Sequence, residues 1–163
     1  MTQSEILVRV SHNYHKKREH FFRLNDAGAK FLSIVALTAL ATIPGWAGIS
    51  VALISGAATI LSIVLDFPGM AAKHESLATD FLALLADMTD GTITPEQAER
   101  RRREIGAREP TALRGLVQVC TDEVEASIGC EVEMDRLTYR RRIAAQFGFG
   151  ERAPTWEPNA GAN

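Results

Sequence analysis

The sequence predicts an all-α membrane protein: a two-helix transmembrane hairpin, preceded by a long N-terminal helix and followed by cytoplasmic helices. Three observations predict it. From Phe31 to Leu65, 35 consecutive residues include no Asp, Glu, Lys, Arg or His. A single Asp, Lys or Arg at the centre of a membrane helix costs about 2.5–3.5 kcal/mol, so insertion requires such a gap. Pro44-Gly45-Trp46-Ala47-Gly48 then divides the run with helix breakers and an interfacial aromatic. On both sides of the run apolar residues recur at helical spacing, and no strand pattern stands out.

Bulk composition hides this organisation. Hydrophobic residues make up 46% of the 163, an ordinary share for a soluble protein, but they are unevenly spread. Residues 1–30 hold six Lys or Arg against three Asp or Glu, a net +3. Residues 66–163 hold twelve against seventeen, a net −5. A basic segment, an apolar middle and a mildly acidic remainder follow one another. The basic flank predicts a cytoplasmic N-terminus, and two spans return the chain to the same side. The expected location is therefore a membrane, crossed twice, with both termini cytoplasmic. A cleaved secretory signal does not fit, because a charged segment of thirty residues precedes the apolar run and a second span follows.

In chain order, residues 1–26 read as a cytoplasmic amphipathic helix. Ile6, Val10, Tyr14, Phe21 and Leu24 form its apolar positions, and it runs on into the first span. The hairpin occupies 27–67, with spans at 27–43 and 48–67. Each is near the lower limit for a ~30 Å hydrocarbon core. Residues 68–147 read as a cytoplasmic helical region. After Pro68-Gly69 a helix runs to about Thr89, with Leu77, Phe81, Leu84, Leu85 and Met88 as its stripe. Thr94-Pro95-Glu96-Gln97 is a capping box with Pro at the first helical position, opening a helix that ends near Gly106. Further helices are expected over about 110–128 and 133–147. The tail, 148–163, is rich in Gly, Pro and Ala and is expected to be poorly ordered.

The second span holds the candidate site. Gly48, Ala52 and Gly56 are four apart, a ladder of small residues that lets another helix approach closely. Ser55, Thr59, Ser62 and Asp66 form an adjoining polar stripe at i, i+4, i+7 and i+11. In the first span Thr38 and Thr42 are placed to meet it. Two readings fit. The stripe is glue between helices, or it lines a path in a homo-oligomer with Asp66 as a ring of carboxylates at the inner mouth.

Other features read more simply. His12, His15 and Glu19 share one helix face, which is expected to be solvated near the headgroups, and no metal site is expected. Arg100-Arg101-Arg102-Arg103 is interleaved with Glu96, Glu99 and Glu104 at i,i+4 spacing, as on an exposed charged helix. Arg140, Arg141 and Arg142 have fewer acids around them and are candidate contacts for a partner or anion. Cys120 and Cys130 should be reduced thiols. No phosphate-cradling loop, catalytic Cys/His pair or metal-hydrolase motif occurs, so neither enzyme activity nor a cofactor is expected, and no nucleic-acid partner.

The order of motifs resembles a known family. A basic segment ending in aromatics, His15-Lys16-Lys17-Arg18-Glu19-His20-Phe21-Phe22, leads into the hairpin, and a helix with Leu77 and Phe81 follows it. Then come Arg102-Arg103-Glu104-Ile105, Glu109-Pro110, the stretch from Leu116 to Glu123, and Tyr139-Arg140-Arg141. Over roughly residues 9–147 this resembles the SLATT family of two-transmembrane bacterial effector domains. The resemblance implies an effector that oligomerises and permeabilises or depolarises the membrane in a defence or conflict system. It implies a cytoplasmic partner that generates or senses nucleotides. The alternatives are a non-conducting membrane anchor for a cytoplasmic partner, or a phage holin-like protein.

Overall fold

A computed structural model describes residues 2–130, 132 and 138–148. Among them the chain is all-α, with no strand. Helix α1, Gln3–Thr42, is 40 residues long and unbroken. At 1.5 Å per residue it extends about 60 Å. Thr2 caps its start: the hydroxyl accepts from Glu5 N, and the Glu5 carboxylate accepts from Thr2 N. With no Pro and no interior charge after Lys30, nothing stops the helix before Ile43-Pro44-Gly45. Gly45, at φ +79°, makes the reversal, and α2 runs Trp46–Val64. These two helices are long and apolar enough to cross a membrane.

The predicted second span, 48–67, is too long at its end. The helix stops at Val64, and Asp66 takes a left-handed conformation (φ 45°, ψ 53°). Its Oδ1 accepts from Gly69 N at 3.2 Å, so Asp66 is the N-cap of α3, Phe67–Thr89. The reason lies in Pro68. Inside a continuous helix it would leave the Val64 carbonyl without its donor and clash with it, whereas in a first turn it needs no donor. Asp is among the few residues that tolerate the left-handed turn. Asp66 is therefore not the last member of a stripe on α2.

Helix α3 lies along the first half of α1, so that pairs nest about the turn. Ser33 meets Thr59, Phe22 meets Phe67, His15 meets His74, and His12 meets the Ala78 carbonyl. Helix α4, Pro95–Gly106, closes against α3, with the expected capping box of Thr94 and Gln97 in place. Helix α5, Arg114–Ser127, packs on α1 and carries α6, Tyr139–Gln146. The predicted start of α5 at 110 is four residues early, because the Leu113 N–H donates to the Tyr14 hydroxyl at 3.1 Å rather than to a helical carbonyl. Residues 133–137 of the last expected helix, and the tail beyond Gly148, lie outside the described residues.

Two cores flank α1. Val8 joins Leu77, Phe81, Leu84, Ala98 and Ile105 on one side; Val10 and Tyr14 join Leu116, Val119, Cys120, Val124 and Ala145 on the other. The apolar segment has no such cover. Only 17% of the most apolar window in each candidate span is buried.

Candidate functional site

Between the spans, small side chains set the distance. Ala29, Ala36 and Ala39 of α1 are buried, as are Gly48, Ser55 and Ser62 of α2. Gly48 makes the closest approach: a Cβ there would run into the Ile43 carbonyl oxygen and stand 3.2 Å from that of Ala39. Gly56, by contrast, faces outward, and a Cβ added there would have nothing within 4 Å. The contact face therefore runs Gly48, Ala52, Ser55, Thr59, Ser62, in steps of four and three, rather than along a ladder of fours. Alternating steps keep one face on a neighbour that crosses at a shallow angle, as in left-handed helix pairs.

The polar stripe thus splits. Ser55, Thr59 and Ser62 turn toward α1, while Asp66 caps α3 and is exposed. Thr38 and Thr42 do not meet the stripe; they point outward and donate to the carbonyls of Ile34 and Thr38 one turn back. Ser33 takes their place. Its oxygen lies 2.5 Å from that of Thr59, and each hydroxyl also faces a carbonyl of its own helix, Ala29 and Ser55. Two protons serve these three contacts, so one bridges the spans and the other is returned to its own backbone. In a double-mutant cycle, Ser33→Ala and Thr59→Val should couple by about 0.6 kcal/mol, the mean for such pairs between spans. Reversible unfolding in mixed micelles measures it; additive effects would mean that the bridge is not formed.

Where the chain leaves the apolar zone, a polar cluster sits between α1 and α3. His15 and His74, 0% and 1% exposed, face each other with 2.8 Å between their Nδ1 atoms. His15 Nε2 lies 3.1 Å from Glu109 Oε1, a contact without hydrogen-bond alignment. Phe81 stacks on His15 and Phe22 on His74, sealing the pair from both sides. Across the 2.8 Å contact one ring nitrogen donates and the other accepts, while His15 Nε2 has no aligned hydrogen-bond partner. A charge on His74 is opposed first by burial, then by His15, Arg18 and Lys73, and its pKa falls to about 4. The face of His12, His15 and Glu19 is consequently not solvated as expected, since His15 and Glu19 are buried. His12 and His15 meet α3 instead, and Glu19 is held by Lys16 and Arg23 of α1 itself. No group of three metal-ligating side chains occurs among the described residues.

Arg18 ties α6 to α1. Its Nη1 donates to the Gln146 carbonyl at 2.9 Å, at the C-terminal end of α6, where a cation meets the negative end of the helix dipole. The guanidinium rests 4.5 Å from the Phe22 ring centre, and burial lowers its pKa. Of the three arginines expected to be free for a partner, two meet acids of α5. Arg142 is 3.2 Å from Glu123, and Arg141 is 3.7 Å from the buried Asp122; Arg140 is exposed. The second arginine run is also paired, Arg100 with Glu104, Arg102 and Arg103 with Glu99, and Arg101 with Asp87. Cys120 is buried, which pushes its thiol up to about 12, and Cys130 is exposed; both are free.

Sequence reasoning misses Ser33, Arg18, Glu109 and His74. Ser33 is within reach, since it continues the small-residue spacing from Ala29 to Ala36. The other three have meaning only through partners distant along the chain.

No family model or curated protein matches the sequence, and no solved structure matches the fold.

Proposed function

We propose that the chain is an effector of the bacterial inner membrane, with the hairpin across the bilayer and both termini in the cytoplasm. Copies assemble through the outer faces of the spans. A partner that generates or senses nucleotides acts on the helical region, and the output is permeabilisation or depolarisation. One observation carries the membrane part. Leu37, Leu53, Ile54, Ile63 and Val64 are each at least 69% exposed, a surface that needs lipid or another copy against it. The unbroken α1, shared by the spans and the polar bundle, supports communication between them. The order of motifs shared with SLATT effectors supports the output.

The inward-facing Ser55, Thr59 and Ser62 favour the alternative of a non-conducting anchor. Conduction in the arrangement described would have to use mainly apolar outer faces, whose Thr38 and Thr42 hydroxyls are bonded back to their own helix, or open the hairpin. Planar-bilayer recording under a salt gradient separates the two. With the partner and its signal present, the effector should conduct, and Asp66→Asn should shift the reversal potential. Asn keeps both the cap and the left-handed turn, so only the charge changes. Channels with equal reversal potentials would remove Asp66 from the ion path. Silence in every condition would establish the anchor.

A further inference from the structure

A groove of about 970 Å³ opens between α1, α5 and α6. Its charges are layered. The carboxylates of Glu19 and Glu123 lie at the floor, 6% and 19% exposed. Lys16 and Arg23 reach up from Glu19, and Lys17 and Arg142 from Glu123, so cations make the rim. Four cations stand over two carboxylates, although Arg23 also touches Glu75 outside the groove. Beside the rim are large apolar groups that no part of the described chain covers. Phe147 is 60% exposed with its ring edge-on to Phe21, and Leu24 is 62% exposed.

The position of the groove follows from helix length. Trp46, 80% exposed at the turn, is suited to one membrane–water boundary. A ~30 Å core takes about 20 residues of helix. Counted back along α1 from Ile43, that distance ends at Arg23; counted along α2 from Trp46, it ends at Asp66. Phe22 and Phe67, 6.0 Å apart, show that the two counts reach one level. Asp26 and Lys30 both fall inside this thickness and are paired with each other, the lysine stem reaching back toward the Arg23 end. The upper end of the groove, at Arg23, Leu24 and Phe147, therefore stands in the phosphate layer.

We infer that this groove binds the headgroup of an anionic phospholipid from the adjoining leaflet, with rim cations on the phosphate and Leu24 and Phe147 against the chains. Charge layered over an apolar lip at headgroup depth is what such a lipid requires. The inference rests on the proposed membrane crossing and not on conduction.

The test is native mass spectrometry of the full chain, extracted from vesicles of equal phosphatidylglycerol and phosphatidylcholine. Phosphatidylglycerol adducts should predominate. Arg23→Gln/Arg142→Gln leaves each floor carboxylate one lysine, so the fold should survive with an unchanged melting temperature. It should cut the preference about tenfold, whereas Arg23→Lys/Arg142→Lys should keep it. Equal retention of both lipids by the wild type, or an unaltered preference in the glutamine variant, would overturn the inference. Loss of the preference in excess glycerol phosphate would assign the groove to a soluble phosphate instead, which also overturns it. Alkaline carbonate extraction is read in parallel: a chain washed off the vesicles refutes the membrane crossing itself, whereas a retained chain without lipid preference refutes only this site.

Discussion

Gly48→Leu will open the hairpin, whereas Gly56→Leu will leave each hairpin closed. Both glycines belong to one sequence motif, but their surroundings are opposite. A side chain at Gly48 meets the carbonyl oxygens of Ile43 and Ala39, which belong to the backbone at the end of α1 and cannot swing aside. Overpacking against side chains costs about 1–3 kcal/mol, and against backbone the cost should reach or exceed the upper figure. At Gly56 the added leucine has open space and joins an already aliphatic outer face. Disulfide trapping of Ser33→Cys with Thr59→Cys reports the closed hairpin. Efficient trapping in the Gly48→Leu background would refute the assigned contact. Gly56→Leu should trap normally and should change only the size of crosslinked oligomers, if that face joins copies.

A second large effect is expected in acid. His74 has a pKa of about 4 in the fold, against the ordinary 6.5 of an unfolded histidine. Between those values the unfolded chain binds a proton that the folded chain refuses. The contribution of His74 to stability is therefore full above pH 6.5 and declines as pH falls toward 4. The loss amounts to about 3 kcal/mol over that window. Denaturant titration of the polar bundle at a series of pH values measures it, and His74→Leu should flatten the slope even if it lowers the plateau. A wild-type profile that is level from pH 7 to 4.5 would count against a sealed histidine pair. The groups that oppose the proton are His15 and Arg18 from α1 and Lys73 beside it, while Phe22 and Phe81 keep water out.

The sequence makes the helices legible and the contacts between them only partly so. A gap in charge, a Pro-Gly turn and a capping box are local signals, and α1, the turn and α4 follow them closely. At Asp66 two local signals compete: Pro68-Gly69 marks the break, yet the periodicity of hydroxyls argues for carrying the helix through it. The stripe on α2 is visible in the sequence, but not its partner. Steps of four have equal standing with alternating steps until the crossing helix is in place, and Gly56 then falls outside. His15 shows the remaining difficulty. On the helix alone its neighbours His12 and Glu19 suggest a wet face, and only the return of α3 brings His74 and Phe81 to cover it.

A helix as long and unbroken as α1 would act as a lever if it rocked about the level of Asp26 and Lys30. The arm from Gln3 to that level is about 35 Å long and the arm beyond it about 24 Å. Its antiparallel companion is jointed at Asp66, so the two sides of the hairpin do not share one rigidity. Rocking α1 by about 10° would carry the tip of the short arm through about 4 Å, more than twice the rise of one residue. Between the spans a single hydroxyl bridge, Ser33 to Thr59, resists that sliding. A push applied where His15 meets His74 would thus arrive between α1 and α2 as shear, felt first at the hydroxyl bridge between them.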